Sequence, residues 1–365
     1  MTRLTVNVQP RPYDAWIESG LLRRAGEVLK EVIPATKKLF VITVPPVRKA
    51  WGQPLQESLA AAGFAGEVIE MHDGESHKNL SSVEDLANKL VKRGADRNAV
   101  LVALGGGVVG DVTGFVAAVY MRGIDFVQVP TTFLAQVDAS IGGKTGVNLR
   151  TGKNLVGSFH QPRAVLIDPE VLSTLPDREY RSGLYESLKC GVIGNAEVFR
   201  FFEEQRGRVL GRDLSAVEWL ITESVRLKAS VVSEDERESG PRRVLNFGHT
   251  IGHALEAESG YKKFLHGEAV AWGMVAASMI AAGLQKADAE TARRIISTVL
   301  ALAPLPKVDL GSKKVSRRLL SDKKTKNGVV HFVLPVEIGK VEIVSDIPER
   351  AVVQAIEELR YLSQA

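Results

Sequence analysis

The sequence contains very little cysteine and few aromatic residues. Cys190 is its one cysteine among 365 residues, so no disulfide can form within the chain, as is typical of proteins from a reducing cytoplasm. The first residues lack the apolar core of a signal peptide, and the most apolar stretch, 269–284, is only 16 residues long, too short to span a bilayer comfortably. No dense run of lysine and arginine interleaved with aromatic residues occurs, which argues against nucleic-acid binding. We therefore expect a cytoplasmic protein without a membrane or nucleic-acid partner.

The remaining composition is that of an ordinary globular protein. Hydrophobic residues make up 45% and charged residues 25% of the chain, and 47 basic against 43 acidic side chains give a formal net charge of +4. A chain of 365 residues exceeds the size, roughly 250–300 residues, at which a single hydrophobic core stops growing. The length therefore predicts two domains.

Buried strands alternate with amphipathic helices in the first half of the chain. Residues 39–44, 100–104 and 126–129 form continuous apolar runs, typical of strands that are covered on both faces. Residues 82–93 have helical spacing, with their apolar side chains on one face. This alternation predicts an α/β domain with a parallel sheet over residues 1–176.

The pattern changes after residue 176. Residues 180–192, 214–232 and 268–284 have long helical patterns, and only the runs near 329–334 and 341–344 resemble strands, which would form a small hairpin. We therefore expect a second, mostly α-helical domain over residues 177–365.

A glycine-rich turn follows one of the predicted buried strands. Gly105-Gly-Gly-Val-Val-Gly110 has the spacing G-x-G-x-x-G between a strand and a helix, which favours binding of a dinucleotide pyrophosphate over a purely structural turn. The motif does not lie in the first strand–helix unit, and Asp125 precedes the following strand where a ribose-binding acid would end it. Residues 143–145, Gly-Lys-Thr, are similar to the end of a P-loop, but Asp138 occupies the position of that motif's first glycine. The sequence thus argues against a P-loop NTPase.

Three of the 7 histidines fall within 18 positions of the second half: His249, His253 and His266. A neutral imidazole is a common metal ligand, and the i, i+4 spacing of the first two places both on one helix face. The residues alone therefore predict these two as a ligand pair, with His266, Glu256 or Glu268 as the third ligand. Hydrogen-bonded histidines without a metal are the structural alternative.

Basic residues recur beside these motifs. Singly, each is more typical of a solvated surface charge, and Glu186 can form an ordinary ion pair with Lys189 three positions on. Together they suit a substrate that carries phosphate and carboxylate groups. They are Arg122, Lys144, Lys153, Lys189, Lys228 and Arg242.

A series of short motifs extends along nearly the whole length of the chain. They are Asp73-Gly-Glu-x-x-Lys78, the turn from Gly105 to Asp111, Pro130-Thr-Thr-Phe-Leu134, the stretch from Asp138 to Asn148, Gly152 to Gly157, Gln161-Pro162, Glu186-Ser-Leu-Lys189, Leu245 to His253, His266-Gly-Glu268 and Asp322-Lys-Lys324. In this order they resemble the 3-dehydroquinate synthase family. The resemblance implies an N-terminal Rossmann-like NAD-binding domain, a mostly helical C-terminal metal-binding domain and an active site in the cleft.

The resemblance also implies roles for individual residues. Zn²⁺ or Co²⁺ would be held by Glu186, His249 and His266, so that His253 faces the substrate instead of the metal. Catalytic roles would fall to Lys144, Lys153, Lys189, Asn246 and His253. Substrate binding would involve Arg122, Asn154, Lys228, Arg242, Lys323 and Lys324. Contacts to NAD would come from Asp73, Glu75, Lys78, Gly105, Gly106, Gly107, Val108, Val109, Gly110, Asp111, Thr131, Thr132, Asp138, Lys144, Lys153, Val171, Leu172, Ser173, Thr174 and Glu179.

The activity that the resemblance implies is a phosphate-eliminating lyase reaction of the shikimate pathway. A homodimer would convert 3-deoxy-D-arabino-heptulosonate 7-phosphate to 3-dehydroquinate and phosphate. The alternatives are another sugar-phosphate cyclase, a metal- and NAD-dependent polyol dehydrogenase, and a non-catalytic nucleotide-binding module. The chain departs from the family at Val44, followed by Pro45-Pro46, where the family usually has an aspartate near the adenosine ribose.

Overall fold

The computed structural model of the chain describes residues 1–33, 38–325 and 330–364, and of residues 320–325 it describes the backbone alone. These residues form two compact units: unit 1 comprises Met1–Pro176 and Val217–Arg237, and unit 2 comprises Asp177–Ala216 and Glu238–Ala365. The predicted limits, 1–176 and 177–365, differ from this division only in the segment Val217–Arg237. Hydrogen bonds to unit 1 explain the difference, because Lys228 donates to Asp138 and Glu218 accepts from Ser19.

The strands of the described chain have the following bounds. They are β1 Thr2–Val6, β2 Tyr13–Ile17, β3 Leu39–Thr43, β4 Gly66–Glu70, β5 Val100–Gly105, β6 Asp125–Pro130, β7 Lys144–Leu149, β8 Gly152–Phe159, β9 Ala164–Ile167, β10 His331–Glu337 and β11 Lys340–Ser345.

The α-helices are numbered in the same way. They are α1 Ala25–Val32, α2 Pro45–Val47, α3 Gln53–Ala61, α4 Leu80–Lys92, α5 Gly107–Val119, α6 Asp177–Ile193, α7 Ala196–Leu210, α8 Leu214–Glu234, α9 His249–Glu258, α10 His266–Gly283, α11 Ala289–Leu302, α12 Ser312–Thr325 and α13 Glu349–Leu362. No helix within the described ranges is both long enough and apolar enough to cross a membrane. The α/β class of the first domain and the mostly helical class of the second are confirmed.

Unit 1 is built on a seven-stranded sheet in the order β1-β2-β9-β6-β5-β3-β4, in which only the β1–β2 pair is antiparallel. All six residues of β5 are buried. Leu101 and Ala103 face one hydrophobic core, whereas Val100, Val102 and Leu104 face the other. Helices therefore cover both faces of the sheet, which is why its central strands read as uninterrupted apolar runs.

The order in which strands are added to the sheet reverses between β3 and β5, which are parallel neighbours. After β3 the chain enters α2 and α3, and α3 packs on one face through Leu55 and Leu59. After β5 it enters α5, which packs on the opposite face through Val112 and Val116. The two connections run to opposite faces of the sheet, and in open α/β sheets this arrangement places the ligand crevice beside the carboxyl ends of the two strands.

Unit 2 is organised around α10, which is buried along most of its length. Two glycines of this helix allow other backbones to approach closely. A Cβ at Gly273 would lie 1.7 Å from the carbonyl oxygen of Gly248, at the start of α9, and a Cβ at Gly267 would lie 1.8 Å from that of Ser182 on α6. The helices α6, α9 and α10 are thereby held together along the amino-terminal half of α10.

Candidate active site

The close packing of α6, α9 and α10 brings together a carboxylate and three imidazoles. Glu186 lies on α6, His249 and His253 lie in the first two turns of α9, and His266 is the first residue of α10. Gly248, with φ of 79°, precedes α9 in the left-handed conformation that glycine adopts without strain. The turn before α9 and the start of α10 thus direct the histidines towards Glu186.

The distances between these groups suit a single metal ion. Glu186 Oε1 lies 3.6 Å from Nε2 of His249 and 3.7 Å from Nε2 of His266. Two ligand atoms that each lie about 2.1 Å from one ion at a tetrahedral angle are separated by roughly 3.4 Å. The carboxylate and the two imidazoles therefore stand close to the spacing of shared ligands.

Both imidazoles are held through their other ring nitrogen. Nδ1 of His249 lies 3.1 Å from the carbonyl oxygen of Phe247, and Nδ1 of His266 lies 3.2 Å from Oε2 of Glu256. Such contacts fix the tautomer with the proton on Nδ1, so that Nε2 is left as the electron-pair donor. Glu256 acts here as an orienting group, although the sequence allowed it as a third ligand.

Burial makes the carboxylate of Glu186 a strong attractor for a cation. Lys189 forms a close ion pair with its Oε2, but neither oxygen accepts a hydrogen bond of normal geometry from the described residues. A buried carboxylate is costly unless its charge and lone pairs are satisfied. Burial, assisted by the Lys189 charge, also lowers the pKa of His249 well below its ordinary value, which keeps this imidazole in the neutral form that a metal requires.

The other acidic and imidazole candidates have different surroundings. The ligand nitrogens of His249, His253 and His266 all lie within 4.8 Å of one another, but His253 is exposed. Glu268 accepts from the Arg178 guanidinium at 2.7 Å and from the Leu265 backbone N–H at 2.8 Å. Its role is therefore to cap α10 rather than to bind an ion.

The remaining predicted site residues of unit 2 lie in three places. Arg242 is buried and Asn246 donates to Glu238 Oε1 at 2.6 Å, both within the 3-10 helix Pro241–Asn246. Glu179 is exposed in the first turn of α6. Lys323 and Lys324 lie in α12, and their side chains are outside the described ones.

In unit 1, the glycine turn lies at the β5 side of the crevice. Helix α5 begins after Gly106 without a side-chain cap, so the backbone N–H groups of its first turn are available to an anion. A Cβ at Gly106 would lie 2.9 Å from Thr132 Cγ2, and one at Gly110 would lie 2.7 Å from Gln128 Oε1. The last glycine of the motif thus lets α5 pack closely against Gln128 of β6. The side chain of Val109 belongs to the hydrophobic core.

The loop before α4 is joined to the β7–β8 hairpin by polar contacts. Lys78 Nζ lies 2.5 Å from both Asp111 Oδ2 and Asn154 Oδ1. Glu75 Oε1 accepts from Asn148 at 2.8 Å and lies 4.0 Å from Lys153 Nζ. The structure thus gathers predicted cofactor and substrate residues around Lys78, which is buried.

Further predicted residues follow β6. Asp138 lies in the π-helical turn Ala135–Ala139, where Lys228 Nζ contacts its Oδ1 at 2.5 Å and its carbonyl oxygen at 2.6 Å. Thr132 Oγ1 accepts from the backbone N–H of Ala135 at 3.2 Å. The buried hydroxyl of Thr131 has no hydrogen-bond partner among the described residues, as expected of a group that a ligand would satisfy.

Some predicted residues lie away from this group. Arg122 follows α5, and the 13 residues of this helix separate it from the glycine turn by about 20 Å. Lys144 is exposed at the start of β7 opposite Phe159, and Asp73 is exposed in its loop.

The segment predicted to contact NAD at 171–174 is divided between core and surface. Val171 and Leu172 are buried, whereas Ser173 and Thr174 are exposed. Thr174 Oγ1 accepts from the indole N–H of Trp51 at 2.8 Å. Trp51 was absent from the predicted site, and no sequence signal connects it to a residue 123 positions away.

The match to known families covers most of the chain. The family model described as 3-dehydroquinate synthase N-terminal matches residues 68–182, and the one described as 3-dehydroquinate synthase C-terminal matches residues 183–325. The 3-dehydroquinate synthase of Koribacter versatilis (strain Ellin345) is 62% identical over 363 residues, which is 100% of this chain and 99% of that protein.

Solved structures of two other enzymes share the fold over nearly the full length. The 2-epi-5-epi-valiolone synthase ValA from Streptomyces hygroscopicus subsp. jinggangensis 5008, with NAD⁺ and Zn²⁺ bound, has a TM-score of 0.88 at 29% identity, covering 97% of this chain and 98% of that one. A 2-deoxy-scyllo-inosose synthase complexed with carbaglucose-6-phosphate, NAD⁺ and Co²⁺ has a TM-score of 0.84 at 27% identity, covering 98% of this chain and 99% of that one.

Proposed function

The chain belongs to the 3-dehydroquinate synthase family, and from this we propose that it converts 3-deoxy-D-arabino-heptulosonate 7-phosphate to 3-dehydroquinate and inorganic phosphate. The observation that carries the proposal is the buried Glu186 carboxylate facing the Nε2 atoms of two oriented histidines. This arrangement suits the reaction, which oxidises C5 transiently, eliminates phosphate, reduces the ketone again and closes the ring by an intramolecular aldol step.

Two cofactors belong to the proposal. Glu186, His249 and His266 would hold a divalent ion, Zn²⁺ or Co²⁺, and the glycine turn with the residues around Lys78 would hold NAD. When bound, the ion supplies Lewis acidity towards neighbouring substrate oxygens, and the dinucleotide supplies a hydride acceptor that is regenerated in each turnover. Lys189 would hold Glu186 in position and contribute positive charge beside the reacting oxygens.

The substrate carries a phosphate and a carboxylate, and the proposed binding residues are correspondingly basic. Lys144, Asn154 and Arg122 in unit 1, and Arg242 with Asn246 and His253 in unit 2, would bind its anionic and hydroxyl groups. Lys228 is held by Asp138, so it would act at a fixed position. Lys153 lies beside Glu75, one of the polar residues gathered near Lys78. We propose that it is close to the reacting carbons of the substrate.

One assay separates this function from a dehydrogenase. With purified protein, substrate and NAD⁺, we expect phosphate release without net accumulation of NADH, and loss of phosphate release in the presence of a chelator. Metal ions restored in excess should restore the rate. Accumulation of NADH in proportion to substrate consumed would indicate a polyol dehydrogenase instead.

A related cyclase is the second candidate, because the two solved structures with TM-scores of 0.88 and 0.84 are a valiolone synthase and an inosose synthase. The identity of 62% to a 3-dehydroquinate synthase over the full length favours the first candidate. Identification of the product by mass spectrometry distinguishes 3-dehydroquinate, which retains a carboxylate, from other cyclisation products.

The β7–β8 hairpin supports a homodimer. Within the described residues β8 pairs only with β7, so the outer edge of β8 presents backbone groups to which a second copy can add. Leu155 and Phe159 on β8 are 60% and 43% exposed. We propose that two copies associate through this strand.

Charged residues on this strand should separate the copies. In the double variant Leu155→Asp/Phe159→Asp, burial of two carboxylates would oppose association, and analytical ultracentrifugation should show the mass of one chain instead of two. The control Val91→Asp alters another exposed apolar residue, on α4, and should keep the mass of the wild type. A double variant with unchanged mass would place the interface elsewhere.

A further inference from the structure

The crevice of unit 1 has two different walls. On the β5 side lie the uncapped backbone N–H groups of α5, which suit a pyrophosphate. On the other side β3 ends at Thr43, and Val44 leads directly into α2, which begins with Pro45 and Pro46. A dinucleotide whose pyrophosphate sits on α5 reaches the end of the neighbouring strand with its adenosine ribose.

The end of β3 carries no acidic group. In dinucleotide-binding folds a carboxylate at this position bonds to the ribose 2′-hydroxyl and disfavours a 2′-phosphate. Val44 is buried and contributes to the hydrophobic core, and the first acidic residue after it in the sequence is Glu57. The sequence after β3 therefore lacks the group that excludes phosphorylated dinucleotides.

Basic residues stand there instead. Arg48 is one helical turn beyond Val44, and its backbone N–H donates to the Val44 carbonyl at 2.9 Å. Its guanidinium Nη1 lies 3.2 Å from Oε1 of Glu70, the last residue of β4 and the neighbour of Thr43 in the sheet. Arg48 thus neutralises Glu70, the acid beside the end of β3, and the exposed Lys49 adds a second positive charge.

An Arg–Glu pair at an exposed surface contributes little energy. The Arg48 and Glu70 side chains are 51% and 38% exposed, so a phosphate dianion can recruit the guanidinium, which forms strong charge-assisted hydrogen bonds to phosphate. From this geometry we infer that the crevice accepts NADP⁺ as well as NAD⁺, with Arg48 binding the 2′-phosphate. The inference rests on the proposed dinucleotide-dependent function.

Calorimetric titration of the metal-loaded full chain, freed of bound dinucleotide, tests the inference without an activity assay. We expect dissociation constants for NAD⁺ and NADP⁺ within about tenfold of each other. In Arg48→Gln the affinity for NADP⁺ should fall about tenfold to a hundredfold, as expected for loss of charge-assisted hydrogen bonds, while that for NAD⁺ changes less than about twofold. Because Arg48 is exposed, we expect the Arg48→Gln variant to fold like the wild type.

A matched control is an arginine that pairs with another residue of the same strand. Arg93 pairs with Glu67, near the opposite end of β4, at 2.6 Å, and Arg93→Gln should leave both affinities unchanged. The inference alone would be overturned if the wild type bound NADP⁺ more than about tenfold more weakly than NAD⁺, or if Arg48→Gln weakened the binding of both dinucleotides equally. Absence of binding by either dinucleotide would overturn the proposed function and this inference with it.

Discussion

His266→Ala and Glu186→Gln are each expected to lose the bound divalent ion and at least about a thousandfold in turnover. Either change removes one of three ligands, and Lewis-acid stabilisation by a metal amounts to several kcal/mol, with 1.36 kcal/mol per tenfold in rate. Glu186→Gln keeps the shape of the side chain and removes only the charge that faces His249 and His266. The measurements are metal content by mass spectrometry and the rate of phosphate release.

His331→Ala is the control for this prediction. His331 is exposed on β10, where its ring bonds to Ser345, and its loss should leave both metal content and rate unchanged. The metal content and rate of Glu256→Gln should lie between those of His331→Ala and those of the two ligand variants, because loss of a group that orients a ligand typically weakens metal binding 10- to 100-fold. A Glu186→Gln protein that retains stoichiometric metal and full activity would contradict the ligand assignment.

Gly273→Ala should destabilise unit 2 by about 3 kcal/mol or more, at the upper end of the overpacking range. The added Cβ would lie 1.7 Å from the Gly248 carbonyl oxygen and 3.0 Å from the Gly252 backbone nitrogen. Backbone atoms cannot rotate away, so α9 must move from α10 and carry His249 with it. Denaturant unfolding followed by circular dichroism measures the effect on stability, and metal titration measures the effect on the site.

The same helix provides the control. Gly283, at the carboxyl end of α10, has nothing within 4 Å of the position of an added Cβ, and Gly283→Ala should raise stability by up to about 1 kcal/mol. Equal unfolding midpoints for Gly273→Ala and the wild type would show that α9 and α10 are not held at this glycine.

The buried strands of unit 1 were predictable because their side chains are covered on both faces. The apolar run predicted at 100–104 is β5, and the helix predicted at 82–93 is α4, which begins after the N-cap Asn79. Strands β2, β7, β8 and the four-residue β9 were not predicted. Asp14 and Lys144 interrupt the apolar pattern of β2 and β7, and β8 exposes Leu155 and Phe159, so tertiary context decides their conformation.

The spacing along one helix limited what could be predicted of the site. His249 and His253 share a face of α9, and this spacing predicted them as a pair, but Glu186 lies on α6 and approaches only when the helices pack. From its sequence neighbours alone, Glu186 could not be distinguished from a surface acid paired with Lys189. Its role as a ligand was predicted from the family resemblance. Glu256 lies two helical turns after His249 on α9, but the imidazole that it orients is that of His266 on α10, so the spacing along α9 could not reveal this role.

The direct test of the metal centre is an anomalous difference map, recorded at the zinc or cobalt absorption edge, from crystals of the protein grown with that ion and NAD⁺. We expect a single strong peak in unit 2, about 2.0–2.2 Å from one oxygen of Glu186 and from Nε2 of both His249 and His266. A peak bound by His253 in place of Glu186, or no peak at these residues in crystals of active protein, would contradict this expectation.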